Sequence, residues 1–183
     1  MAADIRRGPH VFWAFALVLV VLIADQAVKH WVLEGLQLSP PGCLENPRFC
    51  RKIELSSVFD LHMFWNRGIS FGLFAADGWG RWALFALSGV IAAGFSVWLW
   101  RAGRALTAFA LALAIGGAIG NMIDRARFGA VVDFFDFSGP WFGWMIGDWP
   151  VGFPFIFNVA DAAITVGAIA LVIDQLFFER EGG

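Results

Sequence analysis

Four long apolar runs constrain this chain more than any other feature. The first is built on VFWAFALVLVVLIA (11–24) and extends over about 11–33. The second is WALFALSGVIAAGFSVWLW (82–100) and the third ALTAFALALAIGGAIGNMI (105–123). The fourth covers 157–178. Crossing a ~30 Å hydrocarbon layer takes about 20 helical residues, which each run supplies. In lipid only helices and closed barrels satisfy their own backbone polar groups. The runs are continuous, not alternating in ~10-residue pieces, and this selects helices over a barrel. The expected fold is a mainly α membrane protein, one integral domain over 1–183 with four transmembrane helices. Composition agrees: only 15% of residues are charged, against about 25% in soluble domains. Ten Trp and 20 Phe suit anchoring at headgroup level. A net charge of −2 gives no footprint for nucleic acid.

Arg6 and Arg7 before the first run imitate a signal peptide. No small-residue cleavage site follows, and the run ends in Asp25-Gln26-Ala27-Val28-Lys29, so an uncleaved first span is expected. Four spans put both termini on one side. The raw count of Lys and Arg in the loops favours the opposite topology, but the short, Arg-dense turn Arg101-Ala102-Gly103-Arg104 favours that side as the cytoplasmic one, because short loops near span ends weigh most. The long connections 34–81 and 124–156 then share the opposite face. Cys43 and Cys50 lie in the first connection, either bridged or as two free thiols, since an oxidising face allows both. Their spacing does not match a zinc site, and no metal or cofactor is expected. Partial alternation over 53–74 predicts a few short strands on the membrane surface. Residues 138–154 predict an interfacial loop or short helix, because Gly, Pro and Asp148 interrupt them.

Ionisable residues at membrane depth are the informative ones, because insertion of a charge costs about 2.5–3.5 kcal/mol at a helix centre. Alternating span directions bring Asp25, Lys29, Asn66, Asn121, Asp124, Arg125, Asp133, Asn158 and Asp161 to one face. Simpler roles stand beside functional ones. Asp25 and Lys29 have the i, i+4 spacing of a helix ion pair. Asn158-Val159-Ala160-Asp161 has the form of an N-cap with an acid in the first turn. Gly116 and Gly120 make a small-xxx-small face for close helix packing. Asp174, ~20 Å along its helix from Asp161, is expected to be solvated at the opposite interface. Asp133 and Asp136, inside the apolar VVDFFDF, need either water or a purpose.

The chain has no HExxH for zinc proteolysis and no GxSxG or Cys/His pair for an acyl-enzyme. Two close carboxylates remain. They cannot both ionise cheaply, so one keeps a proton while the other acts as base, and together they can hydrolyse an amide.

Five ordered blocks carry a family resemblance: Asp25-Gln-x-x-Lys29; Asn66-x-Gly68; Gly116-Gly117-x-x-Gly120-Asn121-x-x-Asp124-Arg125; Val131-Val132-Asp133-Phe134; and Phe157-Asn158-x-Ala160-Asp161. Together, over about residues 14–175, they resemble lipoprotein signal peptidase, or signal peptidase II, a bacterial membrane aspartic endopeptidase family. The resemblance implies a four-helix body with a small periplasmic β-cradle and a periplasmic helix or loop between spans three and four. It implies an inner-membrane protein with cytoplasmic termini and a periplasmic active site. It implies Asp133 and Asp161 as the catalytic pair, with Asp124 competing for the first role. Asp25, Lys29, Asn66, Gly68, Asn121, Asp124, Arg125 and Asn158 would bind substrate or support the site. The implied partners are membrane lipid and prolipoproteins carrying diacylglyceryl on a cysteine, cut just before that cysteine by a monomer without a cofactor. Segments 39–52 and 138–153 look longer than the family usually has, and Arg67-Gly68-Ile69-Ser70-Phe71 departs from its commoner x-Gly-Ala-Ala-Phe. Two rivals are a small proton-coupled transporter and a non-catalytic scaffold for lipidated precursors. Against the transporter, the polar residues sit at one face and no repeat halves appear.

Overall fold

The computed structural model describes residues 10–68, 79–141 and 144–178. Four of its helices are long and apolar enough to cross a membrane. Helix α1 (His10–His30) runs into a π-helical turn at Trp31–Gly35. Helices α2 (Trp79–Trp100), α3 (Ala105–Phe128) and α4 (Val159–Phe178) complete the bundle. Helix α3 is the buried centre, and the other three pack around it and leave large apolar side chains exposed. That inversion of an aqueous core is what a lipid solvent permits.

Close approach depends on glycine. A methyl at Gly120 would lie 2.5 Å from Asp25 Oδ2, and one at Gly117 would collide with the Ala160 carbonyl of α4. The glycines of α3 therefore do more than thin the packing, because they make room for a carboxylate. Helix α3 also runs past the expected end at 123 to Phe128, so Asp124 and Arg125 lie on the helix. It stops at Gly129, whose φ of 75° is open to glycine at little cost.

Strands β1 (Lys52–Glu54), β2 (Asp60–Asn66), β3 (Val131–Asp136) and β6 (Ile156–Phe157) form an antiparallel sheet in the order β1-β2-β3-β6. The strands expected over 53–74 are thus present as β1 and β2, while 69–74 lie outside the described residues. Between β3 and β6, strands β4 (Met145–Ile146) and β5 (Trp149–Pro150) pair as a small hairpin. The expected interfacial loop or short helix over 138–154 is thus corrected: its described residues carry a β-hairpin and no α-helix.

Val132 and Phe134 turn one face of β3 into an apolar cluster with Leu38, Cys43, Leu61 and Met63. The period-2 alternation then sends Asp133 to the other face, toward the helix ends. Cys43 is bridged to Cys50, which resolves the alternative left open by spacing.

Asp174 corrects an expectation. It is 1% exposed, not solvated, and accepts from the Thr107 hydroxyl and from Arg104 Nη2 at 3.0 Å. The reason lies in the seam of α4. Ala160 and Ile164 meet Gly117, Gly167 meets the Ala110 carbonyl, and Leu171 packs on the core. Positions 160, 164, 167, 171 and 174 follow one heptad stripe, so Asp174 faces α3 and not headgroups.

Candidate active site

The first element of the site is an ion cluster between α1 and α3. Lys29 Nζ contacts Asp25 Oδ2 at 2.8 Å, Asp124 Oδ2 at 2.7 Å and Asn121 Oδ1 at 3.2 Å. An ammonium has three donors, and all three are used. All these groups are buried. Gln26 adds its amide to Asp25 and Asp124 at 3.2 and 3.1 Å. Asp124 Oδ2 also accepts the Val132 N–H at 3.1 Å, tying the start of β3 to α3. Both Asp124 oxygens are therefore occupied, and its partners are Lys29, Gln26 and Val132.

The second element is the opening turn of α4. Asn158 Oδ1 accepts the Asp161 N–H at 2.9 Å, while Asp161 Oδ2 faces the Asn158 N–H at 3.3 Å. This is a reciprocal capping box made from Asn and Asp. Asp25 Oδ1 accepts the Ala160 N–H at 3.0 Å, so the ion cluster satisfies a further donor of the same turn.

Asp133 and Asp161 lie where these elements meet. Asn158 Nδ2 donates to Asp133 Oδ1 at 2.7 Å, and Asn66 Nδ2 donates to Oδ2 at 3.0 Å. Register explains Asn66: Phe64 pairs with Asp133, so Asn66 is its diagonal neighbour on the same face. Asn66 Oδ1 accepts the Gly68 N–H at 3.1 Å, which turns its amide nitrogen toward Asp133. Asn121 Nδ2 donates to Asp161 Oδ1 at 2.8 Å. Arg125 Nη1 donates to the Asn121 carbonyl one turn back on α3, at 3.4 Å.

The electrostatics set the two acids apart. Asp133 is 0% exposed, whereas Asp161 is half-buried. Burial, followed by the charge of Asp161, pushes the Asp133 carboxyl up to about 8, against the pull of Asn66 and Asn158. Nearby Asp136 goes the other way. Burial raises it, but the Ser138 hydroxyl and N–H together with His62 outweigh burial and hold it below the usual range. A buried acid that keeps its proton at neutral pH, next to a half-buried second acid, can act with it as an acid–base pair. Among the described residues no cluster of His, Cys, Asp and Glu is arranged to hold a metal ion.

The structure brings Asp25, Lys29, Asn66, Gly68, Asn121, Asp124, Arg125, Asp133, Asn158 and Asp161 to this one end of the bundle, while Asp174 lies at the other. Gln26 was missed as a site residue, although its place beside Asp25 and one turn from Lys29 was a usable signal. Asp124, the rival for the pair, belongs to the ion cluster.

The family model described as Signal peptidase (SPase) II matches residues 17–177. A lipoprotein signal peptidase of Methylorubrum extorquens (strain PA1) is 42% identical over 160 residues, covering 86% of this chain and 82% of that protein. One of Caulobacter vibrioides is 38% identical, covering 91% and 88%. One of Sphingopyxis alaskensis is 39% identical, covering 97% and 92%. In fold, the chain is similar to a bacterial membrane enzyme solved by the in meso method, with a TM-score of 0.69 at 23% identity, over 93% of this chain and 91% of that one.

Proposed function

The chain belongs to the signal peptidase II family, and from that premise we propose that it is an aspartic endopeptidase of prolipoproteins. Its substrates carry diacylglyceryl on a cysteine, and it cuts the bond just before that cysteine. Asp133 and Asp161 are the catalytic pair. The site faces the periplasmic side of the inner membrane, and one chain suffices because every site residue comes from it.

The observation that carries this reading is the asymmetric pair: Asp133 fully buried with its carboxyl near 8, Asp161 only half-buried, and Asn158 bonded to both. Asp161 takes a proton from water, and the water oxygen attacks the scissile carbonyl. Asp133 gives its proton to the carbonyl oxygen, forming a neutral gem-diol. Asp161 then gives its proton to the leaving nitrogen as the C–N bond breaks, while Asp133 takes a proton back from a gem-diol hydroxyl as the carbonyl re-forms. Asn66 and Asn158 hold Asp133, and Asn121 holds Asp161. Asp25, Lys29 and Asp124 fix the frame. Gly68 orients Asn66, and Arg125 lies at the rim for peptide carbonyls.

The test is cleavage of a diacylglyceryl-modified precursor by purified protein in lipid, read by product mass. Asp133→Asn and Asp161→Asn are each expected to lower turnover by at least about 10³-fold, the scale of a lost acid or base. Precursor binding should survive in both. Full turnover in Asp133→Asn, with loss in Asp124→Asn, would move the acid to Asp124. Undiminished turnover in Asp161→Asn would end the aspartic reading.

A further inference from the structure

The segment between β3 and α4 carries an exposed apolar hairpin that the proposed chemistry does not use. Trp144, Met145 and Ile146 at its tip are 65%, 51% and 74% exposed. The turn is made at Gly147, with φ of 61°. Its stem is ordered by backbone bonds from Trp141 to Val151 and from Val151 to Trp144, at 2.8 and 3.0 Å. Its base is a wholly aromatic groove of Phe137, Trp141, Phe153 and Phe157, anchored by the Phe153 N–H on the Phe137 carbonyl at 2.9 Å. A contiguous apolar patch of this kind marks an interaction surface and not a solvated loop.

Two observations choose the occupant. First, the patch continues a lipid-facing surface. Phe157 precedes the start of α4 by two residues, and the 20 residues of α4 reach ~30 Å, the whole hydrocarbon thickness. The hairpin base is therefore level with the membrane boundary. Second, residues 138–157 hold one acid, Asp148, and no Lys or Arg. The loop closed by the Cys43–Cys50 disulfide has a charged composition instead, with Glu45 and Arg48 exposed in it and Arg51 exposed just beyond it. One excursion suits water and the other the headgroup–acyl boundary, where Trp is favoured.

We propose that the hairpin tip inserts into the bilayer leaflet on the site's side and fixes the height of the catalytic strands above the acyl chains. Strand β3, which carries Asp133, and strand β6, which leads into Asn158, pair with each other and bracket the hairpin in sequence. Insertion itself does not depend on the peptidase reading, whereas its effect on cleavage does.

The test labels Ile146→Cys with an environment-sensitive fluorophore in the full chain reconstituted in phosphatidylcholine–phosphatidylglycerol vesicles. The native cysteines are bridged, so the new thiol takes the label. Glu54→Cys on exposed β1 is the water-facing reference. Quenching at 146 by lipid spin-labelled high on the acyl chain should exceed that at 54 at least about twofold, with protection from aqueous iodide. Iodide quenching equal at both sites overturns the proposal, and so does a label shielded from both quenchers, which would mean a protein contact. A second arm replaces Met145 and Ile146 by Asp. KM for lipid-modified precursor in vesicles should rise about tenfold with kcat little changed. If the unmodified enzyme cleaves nothing, the peptidase reading fails while the quenching result still decides insertion.

Discussion

Three asparagines surround the two acids, and each is oriented by what its oxygen accepts. Lys29 engages Asn121, the Asp161 N–H engages Asn158, and the Gly68 N–H engages Asn66. Every amide nitrogen is thereby left pointing at Asp133 or Asp161. For Asp133, a folded value near 8 lies above its ordinary 3.8. Between those values the folded chain holds a proton that the unfolded chain releases. Its contribution to stability is thus fully present below 3.8 and lost as pH rises toward 8. Two outcomes are expected. Turnover should fall on an alkaline limb near pH 8 as the pair loses its shared proton. Thermal unfolding from about pH 5 to about pH 9 should show the unmodified protein losing stability relative to Asp133→Asn. Lys29→Met should destabilise by about 3–5 kcal/mol, because it strands two buried carboxylates. Chemical denaturation should show that loss, well beyond the effect of Gln26→Leu. The Asp25–Lys29 pair was legible from its spacing, and the Asn158–Asp161 cap from its order. The direction of each amide was not, because it depends on partners from other elements.

At the scale of elements, α3 carries the argument. Its glycines let α1 bring a carboxylate against the helix and let α4 begin beside it. Gly120→Ala should cost about 1–3 kcal/mol through overpacking and displace Asp25 from the α4 cap. Gly94→Ala on α2 meets nothing within 4 Å and should leave unfolding temperature unchanged or slightly higher. The apolar runs made the spans legible, but not their precise ends: α3 continues through Asp124, whose charge Lys29 neutralises. The four-stranded sheet joins β1 and β2 to strands some 70 residues later (Asp60 with Asp136, for instance), and no local pattern reports such pairing. The hairpin was hidden for another reason, since Trp, Gly and Pro read equally as loop.

Across the whole molecule, polar contacts lock both ends of the α3–α4 seam. Asp161 and Asn121 meet at one end, Asp174 with Thr107 and Arg104 at the other. The ends should separate experimentally. Asp174→Ala should lower the unfolding temperature while the activity of the folded fraction is retained, whereas Asp161→Asn should abolish activity with folding retained. Asp174 was legible in principle through its heptad stripe, yet its reach of ~20 Å along the helix from Asp161 pointed to the opposite interface and to solvent. The first turn of α4 also depends on Asp25, 135 residues upstream of Ala160. During biosynthesis, then, a ribosome-bound intermediate with three inserted helices has neither a capped fourth helix nor a second acid. The fourth helix therefore completes two things at once: the buried Asp25 carboxylate gains the Ala160 N–H, and Asp133 gains the Asn158 amide.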